Sequence, residues 1–155
     1  MELSGQQQKV EEQLRFLAAI CIAFVISVAL FVFLAWFVTE GPGSVEPLAG
    51  ATSTVFVAVG VIVGVGLLLA APVVQRRLLE RSDPPAPDGD ITPVLENYRV
   101  AVYLAFLLRE GAALSGLMLA LLTGDATWAY VLAAAAVVAM FWGWPRRDDL
   151  AAVPV

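Results

Sequence analysis

The residues most able to take part in chemistry are Arg109 and Glu110, two adjacent charges inside an apolar segment that runs from about residue 98 to 123. A single charge at the centre of a membrane-spanning helix costs roughly 2.5–3.5 kcal/mol, so each of the two needs a partner or a purpose. Three interpretations follow. The pair is an ion pair that fixes helix packing, Glu110 is a carboxylate that binds protons or cations, or reciprocal Arg109–Glu110 contacts join two copies about a two-fold axis.

Other groups able to do chemistry are scarce in this chain. The 155 residues include no histidine and one cysteine, Cys21, which lies inside an apolar run. Catalysis by a Ser-His or Cys-His pair, an intramolecular disulfide and a zinc site built from Cys and His are therefore excluded. We predict a protein that is not an enzyme and that binds no metal or cofactor.

The composition indicates a membrane protein. Hydrophobic residues make up 60% of the chain and the mean hydropathy is +0.83, whereas a soluble domain is about 45–50% apolar. About 20 apolar residues are enough to cross the hydrocarbon core of a bilayer. We predict an all-α fold, a bundle of four transmembrane helices that forms a single domain over residues 16–144. The predicted spans are about 16–38, 52–74, 98–123 and 126–144.

The basic residues predict how this bundle is oriented. Every lysine and arginine except Arg109 lies in a polar N-terminal extension (1–15), near the proline-rich acidic loop (82–92) or in the tail (145–155). These residues are Lys9, Arg15, Arg76, Arg77, Arg81, Arg99, Arg146 and Arg147. The loops after the first and third helices have no basic residue, so the positive-inside rule predicts cytoplasmic termini (N-in/C-in). We expect a multi-pass protein of the bacterial cytoplasmic (inner) membrane, with a helical N-terminal extension.

Small residues predict where helices pack closely. Gly60 and Gly64 form a small-xxx-small pattern on the second helix, which favours an internal packing seam or a dimer interface. On the third helix, Arg109 shares its side with small residues such as Ala112 and Gly116, which leave a groove. Glu110 shares its side with bulkier residues, and the nearest polar candidates on the helices are Ser27, Ser115 and the backbone at the two glycines.

Two short motifs predict helix ends. Thr92-Pro93 is a typical helix start, with threonine as the cap and proline at the first helical position. Gly124 suits the position just after a helix, and Asp125 can cap the helix that follows. Because this connection is short, the third and fourth helices are expected to be antiparallel neighbours.

The central hairpin resembles the c subunit of rotary ATPases. That family has a glycine-rich helix, a polar cytoplasmic loop and a second helix with a mid-membrane carboxylate followed by Ala and Gly. The matching residues here are Gly60, Gly64 and Gly66, then Glu110, Ala113, Gly116 and Leu117. The resemblance implies that Glu110 would bind a proton or sodium ion. An arginine beside the carboxylate would hold it ionised, however, whereas a rotor must neutralise it, so we do not predict a rotor subunit.

A second resemblance covers more of the chain. Small bacterial four-helix membrane proteins of uncharacterised function are similar to its third and fourth helices. The similar residues are Tyr98-Arg99, Leu108 to Leu114, Leu121 to Asp125 and Pro145 to Arg147. This resemblance implies four membrane spans and no particular activity.

Two functional hypotheses follow from the sequence. The first is a non-enzymatic structural or accessory subunit that acts by helix association. Its partners would be the lipid bilayer and either further copies of itself or another membrane protein, and nucleic acid is not expected. The second is a proton- or cation-translocating element that uses Glu110.

Overall fold

The computed structural model describes residues 2–42, 51–81 and 92–145, with side chains from Gln8 and Thr54 onward in the first two ranges. Every regular element in these ranges is an α-helix, which confirms the all-α prediction. The helices are α1 (Glu2–Thr39), α2 (Ala51–Glu80), α3 (Thr92–Thr123) and α4 (Thr127–Trp142). Three of them contain stretches long and apolar enough to cross a membrane: Gln8–Thr39, Thr54–Glu80 and Thr92–Thr123. The helix α4 is apolar too but only 16 residues long.

The helices extend beyond the apolar spans at their polar ends. The helix α1 includes most of the N-terminal extension, and α2 continues through Pro72 into the charged segment that ends at Glu80. The predicted start of α3 at Thr92 agrees with the structure. The rest of the proline-rich loop (82–91) and the tail after Pro145 lie outside the described residues.

The helix α3 forms the centre of the bundle. It packs against α1, α2 and α4, whereas α1 and α2 make little direct contact with each other. Its buried residues are mostly small or medium in size and include Ala101, Ala105, Ala112, Gly116 and Ala120. Small side chains on a central helix let its neighbours approach closely, which is how helices gain packing contacts in a membrane.

Side-chain contacts give the direction of each helix relative to α3. Phe24 of α1 lies against Tyr103 and Phe106 of α3, with ring centroids 5.6 and 5.9 Å away. Nearer the start of both helices, the Arg99 guanidinium lies 4.4 Å from the centre of the Phe16 ring. Residue numbers rise together along these contacts, so α1 and α3 are parallel, while α2 and α4 run in the opposite direction.

The turn between α3 and α4 has the predicted chemistry. Gly124 has a φ of 70°, a left-handed conformation that glycine adopts without strain, and its N–H donates to the Ala120 carbonyl at 2.9 Å. The Asp125 carboxylate accepts the Thr127 backbone N–H at 2.8 Å. Hydrogen bonds from the side chain and backbone of Thr127 lower the pKa of the Asp125 carboxyl below its ordinary value. The predicted end of α3 is therefore confirmed. The N-cap residue of α4 is Ala126 and not Asp125, although the Asp125 carboxylate accepts the N–H of the first helical residue.

Three glycines lie where helices meet most closely. A Cβ atom on Gly116 would lie 2.9 Å from the Ala129 Cα and 3.0 Å from the Trp128 carbonyl oxygen of α4. A Cβ on Gly60 would lie 2.6 Å from the Leu119 side chain, and one on Gly64 would lie 3.0 Å from Leu132. The Gly60–Gly64 seam therefore faces α3 and α4 of the same chain.

We predict that Gly116→Ala destabilises the bundle by about 1–3 kcal/mol, because backbone atoms of α4 would have to move away from the new methyl group. Gly66→Ala is the matched control, since a Cβ at Gly66 meets nothing within 4 Å. That substitution should be neutral or stabilise α2 by about 0.5–1 kcal/mol through its better helix propensity. Unfolding in mixed detergent micelles, followed by circular dichroism, measures both. Equal losses in the two variants would contradict close α3–α4 packing at Gly116.

Candidate functional site

Among the residues whose side chains the structure describes, Arg109 is the charged residue that is buried. The residue is only 4% exposed although it carries a full positive charge. The guanidinium lies 5.2 Å from the centre of the Phe106 ring, one turn earlier on α3. On its other side it lies so close to Gly143, just after α4, that a Cβ there would be 2.4 Å from Nη2. The residue after α4 therefore has to be a glycine for this side chain to keep its position.

The Arg109 guanidinium borders a cavity of about 390 Å³ between α2, α3 and α4. The other lining residues are Leu68, Pro72, Gln75, Ala139, Trp142 and Gly143. Within the part of the chain that the structure describes, Nε and Nη1 of Arg109 are buried and have no hydrogen-bond partner. Buried donors without partners are uncommon in folded proteins and each costs about 1–3 kcal/mol, more when charged.

Glu110 points away from this cavity and towards α1. Its carboxylate accepts a hydrogen bond from the Ser27 hydroxyl, which lies in the middle of α1. Both side chains are partly buried. Ser115, the other hydroxyl near this level of α3, donates instead to the Gly111 carbonyl of its own helix at 2.9 Å. The α1–α3 contact thus combines a carboxylate and a hydroxyl from helices that are distant in sequence.

The two adjacent charges therefore lie in separate environments. Arg109 and Glu110 form no salt bridge with each other, since one side chain enters the α2–α3–α4 cavity and the other contacts α1. The sequence suggested that Arg109 and Glu110 form an ion pair within one chain, and the structure contradicts this prediction.

An exposed apolar surface runs along α3 beside Glu110. We call it the α3 stripe. It consists of large residues spaced three, four or seven positions apart and each 41–51% exposed: Val100, Tyr103, Leu107, Leu114, Met118 and Leu121. Glu110 borders the stripe on the α1 side, and Gly111, near Leu67 of α2, borders it on the other. The stripe is thus exposed in the gap that α1 and α2 leave between them.

The predicted packing residues lie inside the bundle. Ala112 is fully buried, and Gly60, Gly64 and Gly116 lie at the helix contacts described above. Small neighbours of Arg109 thus face α2 and α4, as the groove on that side of α3 suggested.

Gly143 and Gln75 are the residues near Arg109 that sequence reasoning missed. A signal for Gly143 was present, because Arg109 and Gly143 lie at similar sequence distances on either side of the turn at Gly124. Residues placed this way in an antiparallel helix pair come to the same level. Gln75 had no such signal, since its helix is joined to α3 by a long segment.

Comparison of this chain with known protein families, with curated proteins and with solved structures finds no match.

We predict an energetic coupling between Ser27 and Glu110 of about 0.6 kcal/mol and at most about 1.7 kcal/mol, which are the average and the maximum measured for hydrogen bonds between membrane helices. Ser27→Ala, Glu110→Leu and the double variant form the cycle, measured by unfolding in mixed micelles. Ser115→Ala with Glu110→Leu is the matched control cycle, because the Ser115 hydroxyl bonds to its own helix. A coupling no larger for Ser27 than for Ser115 would contradict the contact between α1 and α3.

Proposed function

We propose that this chain is a non-enzymatic integral membrane protein that acts by helix association, as a homo-oligomer or as an accessory subunit of another membrane protein. The observation that supports this most directly is the α3 stripe. It is apolar, its residues repeat at helical spacing, and a partly buried carboxylate, Glu110, lies at its edge. A helix that packed on the stripe would remove this carboxylate from contact with lipid, where charge is costly.

The proposal includes the orientation in the membrane. We infer four spans with both termini in the cytoplasm of a bacterial cell, in its cytoplasmic (inner) membrane. The distribution of lysine and arginine supports this orientation. The alternating directions of the four helices are consistent with it, because an even number of crossings returns the chain to the side where it began. The helix α4 would cross with 16 helical residues, and the two residues after it, Gly143 and Trp144, add to its length.

The Gly60–Gly64 seam does not supply the association surface, because it already faces α3 and α4. The outer faces of α1 and α2 are apolar and highly exposed as well, with residues such as Ile22 and Ile62 52% and 70% exposed. Within the apolar stretches 16–38 and 54–74, which the structure describes, these faces carry no charged side chain, so contact with lipid satisfies them. This difference singles out the α3 stripe as the surface for a partner.

We predict that a cysteine at Leu114 in the α3 stripe forms crosslinked products in native membranes. Ile62→Cys on α2 is the matched control, because Gly60 lies opposite Leu119 and Gly64 lies near Ala112, which puts Ile62 at a similar depth. Both variants use a Cys21→Ala background, and Cys21 itself is fully buried. A product of twice the monomer mass from Leu114→Cys alone indicates a homo-oligomer, and one of another mass indicates an accessory subunit. Equal crosslinking at both positions, or none at Leu114, would contradict the proposal.

A second function, translocation of protons or cations by Glu110, is supported by a different observation. The carboxylate bonds to the Ser27 hydroxyl, while the Arg109 guanidinium lies in another cleft. The arginine is therefore not paired with this carboxylate, which removes the main objection that the sequence raised. A carboxylate and a hydroxyl together can bind a proton or a small cation through their oxygen atoms.

If Glu110 translocates protons or cations, liposomes that contain the wild-type protein should dissipate an imposed pH or sodium gradient. Glu110→Gln should reduce the rate of this dissipation about tenfold or more. Ser27→Ala should have a smaller effect, because it removes one ligand and keeps the carboxylate. A pH-sensitive or sodium-sensitive dye inside the vesicles reports the rate. Leak rates that are equal in wild type, Glu110→Gln and protein-free liposomes would exclude translocation.

A further inference from the structure

The cavity beside Arg109 has features that neither association nor translocation uses. It combines buried donors without partners, on Nε and Nη1 of Arg109, with a volume of about 390 Å³. Ligand pockets in proteins typically have volumes of about 300–1,000 Å³. The cavity lies between α2, α3 and α4, whereas Glu110 faces α1, so the two charged residues define separate sites.

The chain itself offers the Arg109 guanidinium little compensation. Glu110 bonds to Ser27 instead, and Gln75 and the end of α4 lie near the guanidinium without accepting from Nε or Nη1. The carboxyl end of α4 is the negative end of a helix dipole, which contributes about 0.3–1 kcal/mol to a nearby cation. That attraction is small compared with the cost of burying an unpaired charge. An anion bound in the cavity would compensate the charge of this guanidinium.

The walls of the cavity indicate which kind of acceptor fits. Apart from Arg109 and Gln75, the side chains that line it are apolar: Leu68, Pro72, Ala139 and Trp142. Trp142 is 83% exposed and lies at the end of α4, where aromatic residues typically meet the membrane interface. The cavity therefore has one polar end and apolar walls. A phospholipid matches both features, because its phosphate is polar and its acyl chains are apolar.

Charge favours an anionic lipid in particular. Gln75, at the edge of the cavity, is followed by Arg76 and Arg77, which are both exposed. Arg76 is paired with Glu80 at 2.8 Å. Basic pockets between membrane helices on the cytoplasmic side are a known kind of site for lipid headgroups, and guanidinium groups bind phosphate oxygens through paired hydrogen bonds.

We propose that the cavity between α2, α3 and α4 binds the phosphate group of an anionic membrane phospholipid, with the Arg109 guanidinium as its main ligand. The phosphate oxygens approach the guanidinium from the cavity and accept hydrogen bonds from Nη2, which is not among its fully buried nitrogens, and the acyl chains lie along the apolar walls towards Leu68. Gly143 leaves space for the guanidinium to lie beside the end of α4 while it binds the phosphate.

Native mass spectrometry of the full-length protein in a neutral detergent tests this proposal. Phosphatidylglycerol, phosphatidylcholine with the same acyl chains, and inorganic phosphate are added in separate titrations. Wild type should bind one phosphatidylglycerol in preference to phosphatidylcholine, whose quaternary ammonium is repelled by the arginines. Arg109→Met should weaken phosphatidylglycerol binding about tenfold or more, because it removes a charge-assisted hydrogen bond. Arg109→Lys should retain part of the affinity.

Two further variants separate binding from folding. Ala139→Leu keeps Arg109 and fills the cavity from α4, so it should weaken binding of phosphatidylglycerol as well. Arg99→Met, which removes an exposed arginine of the same helix, is the matched control and should bind like wild type. Circular dichroism and gel filtration check that each variant is folded. The lipid should also raise the unfolding temperature of wild type more than that of Arg109→Met.

Three outcomes would overturn the proposal. Equal binding by wild type and a folded Arg109→Met variant would show that the lipid binds elsewhere. Equal losses in Arg99→Met and Arg109→Met would indicate general attraction to basic residues rather than a site at the cavity. Binding of inorganic phosphate as strong as that of phosphatidylglycerol would assign the cavity to a free anion and not to a lipid.

Discussion

The burial of the Arg109 charge is the constraint on which the rest of this bundle depends. An arginine that is 4% exposed needs space between the helices, and several small residues provide it. Ala105, Ala112 and Gly116 share its side of α3, and Gly143 leaves it space at the end of α4. The position at which α4 ends is part of the same arrangement, since the carboxyl end of that helix lies beside the positive charge.

The small residues that surround Arg109 also determine which helices touch. The side of α3 that has alanines and glycines is covered by α2 and α4, whereas the side with Leu107, Leu114 and Met118 is left exposed. A soluble protein would bury the large side chains and expose the small ones. In a bilayer the lipid solvates large apolar residues equally well, so helices gain most by close contact between small residues. The α3 stripe follows from this preference.

The separation of the two adjacent charges has a functional consequence. Because Arg109 enters one cleft and Glu110 faces another, the protein has two polar loci instead of one neutral pair. The carboxylate, with the Ser27 hydroxyl, lies beside the surface that we propose for a partner helix. The guanidinium lies beside the cavity that we propose for a phospholipid. A substitution at one of these sites therefore leaves the side chains of the other site in place.

Hydropathy, spacing and turn chemistry determined much of this structure from the sequence by itself. The apolar spans predicted the helices, and Gly124 and Asp125 predicted the α3–α4 turn, because both signals depend on residues close together in the chain. The alanines and glycines that share one side of α3 likewise predicted its close-packed face. The direction of the two charged side chains was decided only by the tertiary structure. Long side chains can turn towards either neighbour, and the groups that attract or admit them, Ser27 on α1 and Gly143 after α4, come from other parts of the chain. Adjacency in sequence suggested that Arg109 and Glu110 are partners, but on a helix two consecutive residues face different neighbours.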